Sequence, residues 1–145
     1  MIEARQLQEL TQAESLRLLS SVPFGRVVFT YHALPAIRPV NHLVVDNAII
    51  IIASLGTAIS AHAGSEGGTV VAYEADVIDP DTHLGWSVVV IGKAGRVVDE
   101  SQIAGYRKAL RPWVSGRMDD VIAIRADLVT GYQLVAGEAP QATIG

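Results

Sequence analysis

Arg38, Pro39, Val40 and Asn41 stand together in a segment, IRPVNHLVVDNAIIIIA (37–53), whose remaining residues have the composition of a β-hairpin. A guanidinium, a ring lacking an N–H, a branched aliphatic and a carboxamide in four consecutive positions could hold a flat ligand by stacking and by hydrogen bonds. The pleat of a strand sends Arg38 and Val40 to one face and Pro39 and Asn41 to the other. Pro39 cannot donate to a ladder. Its strand must therefore run along an edge, contain a bulge, or face something other than another strand at that point. Two readings satisfy this constraint. In one, a heteroaromatic ligand lies against the strand, bonds to free backbone groups and Asn41, and packs on Val40 or Pro39. In the other, Pro39 protects an exposed sheet edge from aggregation, and Arg38 and Asn41 are only solvated.

Other residue types suggest less chemistry. The chain has no cysteine, which removes disulfides, thiolate metal sites and cysteine nucleophiles together. His32, His42, His62 and His83 lack the i, i+4 or paired spacing of a metal site, so no metal is expected. His42 reads as a solvated or core-edge residue on the face opposite Asn41. Asp76, Asp79 and Asp81 surround Pro80 and read as turn formers. Ser20, Ser21, Ser60 and Ser87 have no nucleophile-elbow context. Trp113, in the loop RPWVSG, either plugs one end of the fold or covers a ligand ring. Nine of the eleven basic residues are arginine. That bias suits phosphate or carboxylate recognition, and a GC-rich genome produces it equally well.

The elements that must position these residues follow from periodicity and punctuation. Thr11 and Glu14 have capping-box spacing, and Leu16, Leu19 and Val22 follow at helical spacing, predicting a short helix over 11–22 closed by Pro23. GRVVFTY (25–31) is a strand bounded by Gly25 and the turn HALP. AIRPVNHLVV and AIIIIAS flank Asp46-Asn47, a pair that tolerates the left-handed conformations of a tight hairpin. LGTAISAHAGSEGG supports one or two helical turns at most. TVVAYEADVID (69–79) and WSVVVIGKAGRVVD (86–99) are strands, the second bent at Gly92 and Gly95. Asp99 opens a helix with Ile103, Tyr106 and Leu110 on one face, and VIAIRADLVTGYQLV (121–135) is the last strand.

Six strands, mostly antiparallel, with flanking helices predict a mainly β, α+β fold: a small closed or half-closed barrel. The length of 145 residues suits a single domain (1–145), with the helix at 11–22, a barrel over 25–135 and a mobile tail at 136–145. The net charge of −4, with basic residues scattered, predicts neither nucleic acid nor an anionic membrane as partner. The N-terminus lacks a basic patch followed by an apolar stretch, and no apolar run is long enough to span a bilayer, so a cytoplasmic location is expected.

The order of GRVVFT, PVNHLVVDNAIIIIAS, a Gly-containing short helix, VVAYEAD and GWSVVVIGKAGRVVDE resembles the pyridoxamine 5′-phosphate oxidase-like family of flavin-binding split barrels. It is most similar to the flavin-nucleotide-binding branch that includes nitroimidazole-resistance reductases, over residues 10 to 135. The resemblance implies a six-stranded antiparallel split barrel, a homodimer, and an oxidoreductase using FMN or the deazaflavin coenzyme F-420. It implies that Arg38, Pro39, Val40 and Asn41 line the isoalloxazine ring, and that Ser54, Leu55, Gly56 and Thr57 meet the ribityl phosphate. It further implies that Trp86 and Ser87, often from the second subunit in similar proteins, complete the pocket; Trp113 is a further candidate. Thr57 departs from the lysine common among tight FMN binders, leaving a hydroxyl and an N–H for the phosphate. The alternative implied by that departure is a non-catalytic split barrel that binds or sequesters a cofactor.

Overall fold

In the computed structural model, residues 5–55, 68–110 and 119–137 are described. Strand β1 (Arg5–Leu10) precedes helix α1 (Gln12–Ser20), and β2 (Phe24–Tyr31), β3 (Leu34–Val45) and β4 (Ala48–Ala53) follow as consecutive antiparallel neighbours. Next come β5 (Thr69–Ile78), β6 (Gly85–Arg96), helix α2 (Glu100–Ala109), β7 (Asp120–Arg125) and β8 (Leu128–Ala136). The sheet order is β1-β8-β6-β5-β2-β3-β4-β7, and β6 also pairs with β7. That second pairing closes β6, β5, β2, β3, β4 and β7 into a six-stranded antiparallel barrel. β8 and β1 extend from its β6 side.

β6 can serve two neighbours because it changes partner along its length. Residues 85–91 pair with β8, and 94–96 pair with β7. Gly92 lies at the change, where a Cβ would run into the carbonyl of Arg125 at the corner between β7 and β8. This is the bend expected from the glycines of this strand. The corner itself, Ala126-Asp127, corrects the expectation of one continuous strand over 121–135. The Asp127 carboxylate accepts from the Lys93 backbone N–H there, so the chain turns from barrel wall to extension where β6 needs a new neighbour.

Two further differences are local. No element was predicted before residue 11; Arg5–Leu10 pairs residue by residue with β8, so partner supply outweighs its weak β propensity. β3 begins at Leu34 rather than near Ala36, because the β2–β3 link is only His32-Ala33, both with positive φ (52° and 63°). That is the dihedral requirement of a tight primed hairpin turn.

Alternation sends Val27, Ile49, Ile51, Tyr73, Val88, Val90, Ile122 and Ile124 into the barrel, each less than 2% exposed. Each such aliphatic side chain contributes about 1.5–3 kcal/mol by leaving water. Helix α1 has the expected capping box, Thr11 accepting from the Glu14 N–H and Glu14 accepting from the Thr11 N–H, and it sends Leu16 and Leu19 into the same core. Its close approach to β8 requires Gly131, whose missing Cβ would meet the Ser15 hydroxyl. Helix α2, capped by Asp99, lies over the outer face of β4 and β7, where Ile50, Val121 and Leu110 are buried.

Candidate functional site: the open edge of β3

β3 is not paired evenly. Residues 34–41 pair with β2, whereas 42–45 pair with β4. Among the described residues, no strand lies on the other side of 34–41. The barrel is split there, and Pro39 sits in the singly paired half, where a missing N–H costs least. β4 diverges at this point and its last residues pair with β7. The Arg38 side chain bridges the resulting gap, with Nη1 donating to the Ser54 carbonyl at 2.8 Å and the guanidinium lying 5.6 Å from the centre of the Phe29 ring. Beyond Ser54, Leu55 is buried at 2% exposure.

The faces follow the pleat. Val40 packs against the interior core. Pro39 and Asn41 face outward, in register with Arg26 and Phe24 of β2. Arg38 and Ser54 therefore meet directly, and Val40 shares their side of the strand. Trp86 also packs against the core, and Ser87 faces outward between Asp76 and Tyr132. Both lie on β6, the stave opposite β3 in the six-stranded ring. In strand order the two groups of candidate residues are three staves apart. Gly56, Thr57 and Trp113 fall outside the described residues.

Behind the open edge lies a buried polar chain that decides between the two readings of His42, against the solvated one and for a place at the edge of the core. His42 is 5% exposed. Its Nε2 lies 2.8 Å from the Leu19 carbonyl, which can only accept, so the proton is on Nε2. Nδ1 then accepts from the Tyr73 hydroxyl at 2.6 Å, for which the Val40 carbonyl at 3.2 Å is the second acceptor, and the Tyr73 oxygen in turn receives the Gly25 N–H. The His42 N–H also donates to the Pro23 carbonyl at 3.0 Å. Burial lowers the pKa of His42 against the opposing effect of the Leu19 carbonyl, and burial pushes that of Tyr73 well above its usual range. Both groups are neutral. Together they tie the end of α1 to β2, β3 and β5 immediately behind Asn41.

The comparisons decide what kind of barrel this is. Residues 11–140 match the protein family described as Pyridoxamine 5′-phosphate oxidase. The chain belongs to that family. An uncharacterized Mycobacterium tuberculosis protein, Rv0080, is 52% identical over 135 residues, covering 92% of this chain and 89% of that one. A Corynebacterium glutamicum structure, provisionally named a pyridoxamine 5′-phosphate oxidase, superposes with a TM-score of 0.72 at 30% identity, covering 88% of this chain and 98% of its own. An FAD-binding protein from Mycobacterium smegmatis superposes with a TM-score of 0.65 at 26% identity, covering 89% and 98%.

Within this family frame, Glu74 was missed by sequence reasoning. It lies on the outer face of β5, paired with Arg26 at 3.2 Å. Burial, followed by the hydrogen-bonded Asp76 carboxyl, pushes it up to about 7. The alternation in YEAD put both carboxylates on one face of a strand, but nothing local indicated which face would be crowded. The turn reading holds for Asp79, whose Oδ1 accepts from the N–H groups of Asp81 and Thr82. It fails for Asp76, which belongs to β5. No group of three or more potential metal ligands occurs among the described residues, and no helix among them is long and apolar enough to cross a membrane.

Proposed function

We propose that this protein is a flavin-dependent oxidoreductase that works as a homodimer, with FMN laid against the open edge of β3. The observation that carries the reading is the singly paired stretch 34–41 beside the Arg38–Ser54 bridge. An edge of this kind offers backbone groups to a planar ring, and the guanidinium offers a cation to a phosphate. The residues fit a flavin: Pro39 and Val40 supply apolar surface, and Asn41 a carboxamide that can both donate and accept. Family membership and the FAD-binding relative from M. smegmatis support the same ligand class.

A bound flavin supplies hydride transfer at its ring, a chemistry the side chains lack. The chain's own residues bind, orient and exclude water. Arg38 is held by Ser54 before any ligand arrives, so little side-chain entropy is lost on binding. Trp86 and Ser87 lie three staves from β3 in strand order, and we assign them to the same ligand from a second copy, which is the argument for the dimer.

The test is a parallel titration with FMN, FAD and the deazaflavin F-420, following cofactor and tryptophan fluorescence, then an assay for oxidation of reduced nicotinamide or reduced deazaflavin. Saturable binding of FMN is expected. Arg38→Ala should weaken it about tenfold or more, the equivalent of one charge-assisted hydrogen bond at about 1.5–3 kcal/mol. Saturation by FAD or F-420 alone would reassign the cofactor. Binding without turnover would make the protein a cofactor binder, and failure to bind any of the three would sink the proposal.

A further inference from the structure

The open stretch of β3 is held along one flank only, and the direction of its backbone groups follows from its register. The His42 N–H donates to the Pro23 carbonyl at 3.0 Å, and bonding residues alternate along an antiparallel pair. Ala36, Arg38 and Val40 therefore turn their backbone groups toward β2, and Pro35, Ile37, Pro39 and Asn41 turn theirs toward the open edge. Two of those four are prolines. An edge so poor in N–H donors does not accept another strand, so no ladder steadies this stretch from outside.

Support comes from inside the barrel. Tyr73 of β5 is fully buried, and its hydroxyl stands at the junction of β2 and β3. It receives the Gly25 N–H, and its two acceptors are His42 Nδ1 at 2.6 Å and the Val40 carbonyl at 3.2 Å. Gly25 and Val40 are cross-strand partners. A Cβ at Gly25 would meet the Tyr73 ring and hydroxyl at 2.8 Å, so glycine is what admits the tyrosine there. His42 carries the hold onward to the Leu19 carbonyl near the end of α1. Both neighbours of Asn41 are thus fixed from within, Val40 by its carbonyl and His42 by its ring and its N–H. Apolar side chains could fill the same space; a fully satisfied polar chain adds direction.

We propose that Tyr73 and His42 are positioning residues: from inside the barrel they fix the course of β3 through residues 40–42, and thereby the placement of Asn41 at the ligand edge. The proposal rests on the open edge being the cofactor site and adds the residues that set its geometry. Both side chains are buried behind that edge, so they act through the strand and not on the ligand. A strand bonded along one flank can twist about its ladder, and the twist displaces groups on the free flank most. Holding the carbonyl of Val40 and the ring of His42 opposes it. The edge is then ordered before a ligand arrives, which lowers the cost of binding, and a misplacement of about 1 Å is enough to spoil a positioned contact.

Residue-resolved hydrogen exchange on the full chain without ligand, followed by titration with FMN, tests this. Tyr73→Phe keeps the ring and removes the hydroxyl. It should speed exchange of the Val40 and His42 N–H groups, relative to those of Val88 and Val90 in β6, by about tenfold, and weaken FMN binding by about as much, the worth of one hydrogen bond. The visible circular dichroism of the bound flavin should change with it. Glutamine at position 42 can donate to Leu19 and accept from Tyr73, so His42→Gln should retain the parental affinity and spectrum, whereas His42→Leu should follow Tyr73→Phe. A purely structural role would lower the unfolding midpoint of Tyr73→Phe and leave the affinity and spectrum of its folded form unchanged. That result would overturn the proposal, as would equal losses in His42→Gln and His42→Leu. If Tyr73→Phe does not fold, the two His42 variants decide by the same readouts. If the parent protein binds no FMN, the cofactor reading falls separately, and unchanged exchange at Val40 and His42 in Tyr73→Phe would overturn the positioning role on its own.

Discussion

His42 is the residue whose environment departs furthest from what its neighbours in the sequence suggest. Its two ring nitrogens are committed, to the Leu19 carbonyl and the Tyr73 hydroxyl, and burial disfavours a charge on the ring. The folded pKa lies below the 6.5 of an unconstrained histidine, and the unfolded chain therefore binds more protons below that value. Stability from this site should be complete above about pH 6.5 and decline as pH falls through the folded pKa. Urea midpoints collected between about pH 5 and 8 should show the decline, and His42→Phe should remove it. A flat profile in the parent protein would contradict the neutral imidazole. Glu14, Asp79 and Asp99 are held below their usual values by backbone N–H donors, so their contributions are lost only at more acidic pH. Tyr73→Phe leaves His42 Nδ1 and the Gly25 N–H without their partner, at a cost of about 1–3 kcal/mol in urea denaturation. Ala33 is a simpler case. Its φ of 63° disfavours a Cβ by about 1–2 kcal/mol, so Ala33→Gly should stabilise by about 0.5–1 kcal/mol after the added freedom of the unfolded chain is subtracted.

At the scale of elements, both helices were legible because their caps are local. Thr11 and Glu14, and Asp99 with the Gln102 N–H, form the bonds their spacing predicts. Thr11→Ala should cost about 1 kcal/mol, readable as a lower thermal midpoint with unchanged strand content. The Asp46-Asn47 hairpin was legible for the same reason, with Asp46 at a φ of 53°. β1 was not, since RQLQEL contains no β-branched residue and becomes a strand by adding to the edge of β8. Nor was the break at Ala126-Asp127, which exists because β6 changes neighbour at Gly92. Gly131→Ala should push α1 from β8 against the Ser15 side chain and cost about 1–3 kcal/mol. An unchanged unfolding midpoint would show that the helix can shift freely.

Across the whole molecule, stability is distributed unevenly. The barrel interior holds the fully buried side chains, whereas α2 has no buried residue of its own and rests on Ile103 and Tyr106 over the β4–β7 surface. Native-state hydrogen exchange should therefore find Glu100–Ala109 opening at a lower free energy than the β5–β6 ladder, which should exchange only with global unfolding. Equal protection in both would mean that α2 is part of the same cooperative unit. The same unevenness appears on the outside: α2 covers the β4–β7 side of the barrel, whereas Ile37, Ile91 and Leu128 on the other side are exposed.

Period, turn residues and caps are properties of neighbouring residues, so the sequence by itself determined the helices, the hairpin at Asp46-Asn47, the bend at Gly92 and the chemical singularity of residues 38–41. It did so without long-range information. What joins distant residues was decided only in three dimensions. The partner switch of β6, the single pairing that opens β3 at Pro39, the reach of Arg38 to Ser54, and the burial of His42 between Leu19 and Tyr73 all depend on strand order. Separations of 16, 23 and 31 residues lie between these hydrogen-bonding partners. No local pattern encodes such pairings, because they follow from barrel closure and from which side chains the closed barrel removes from water.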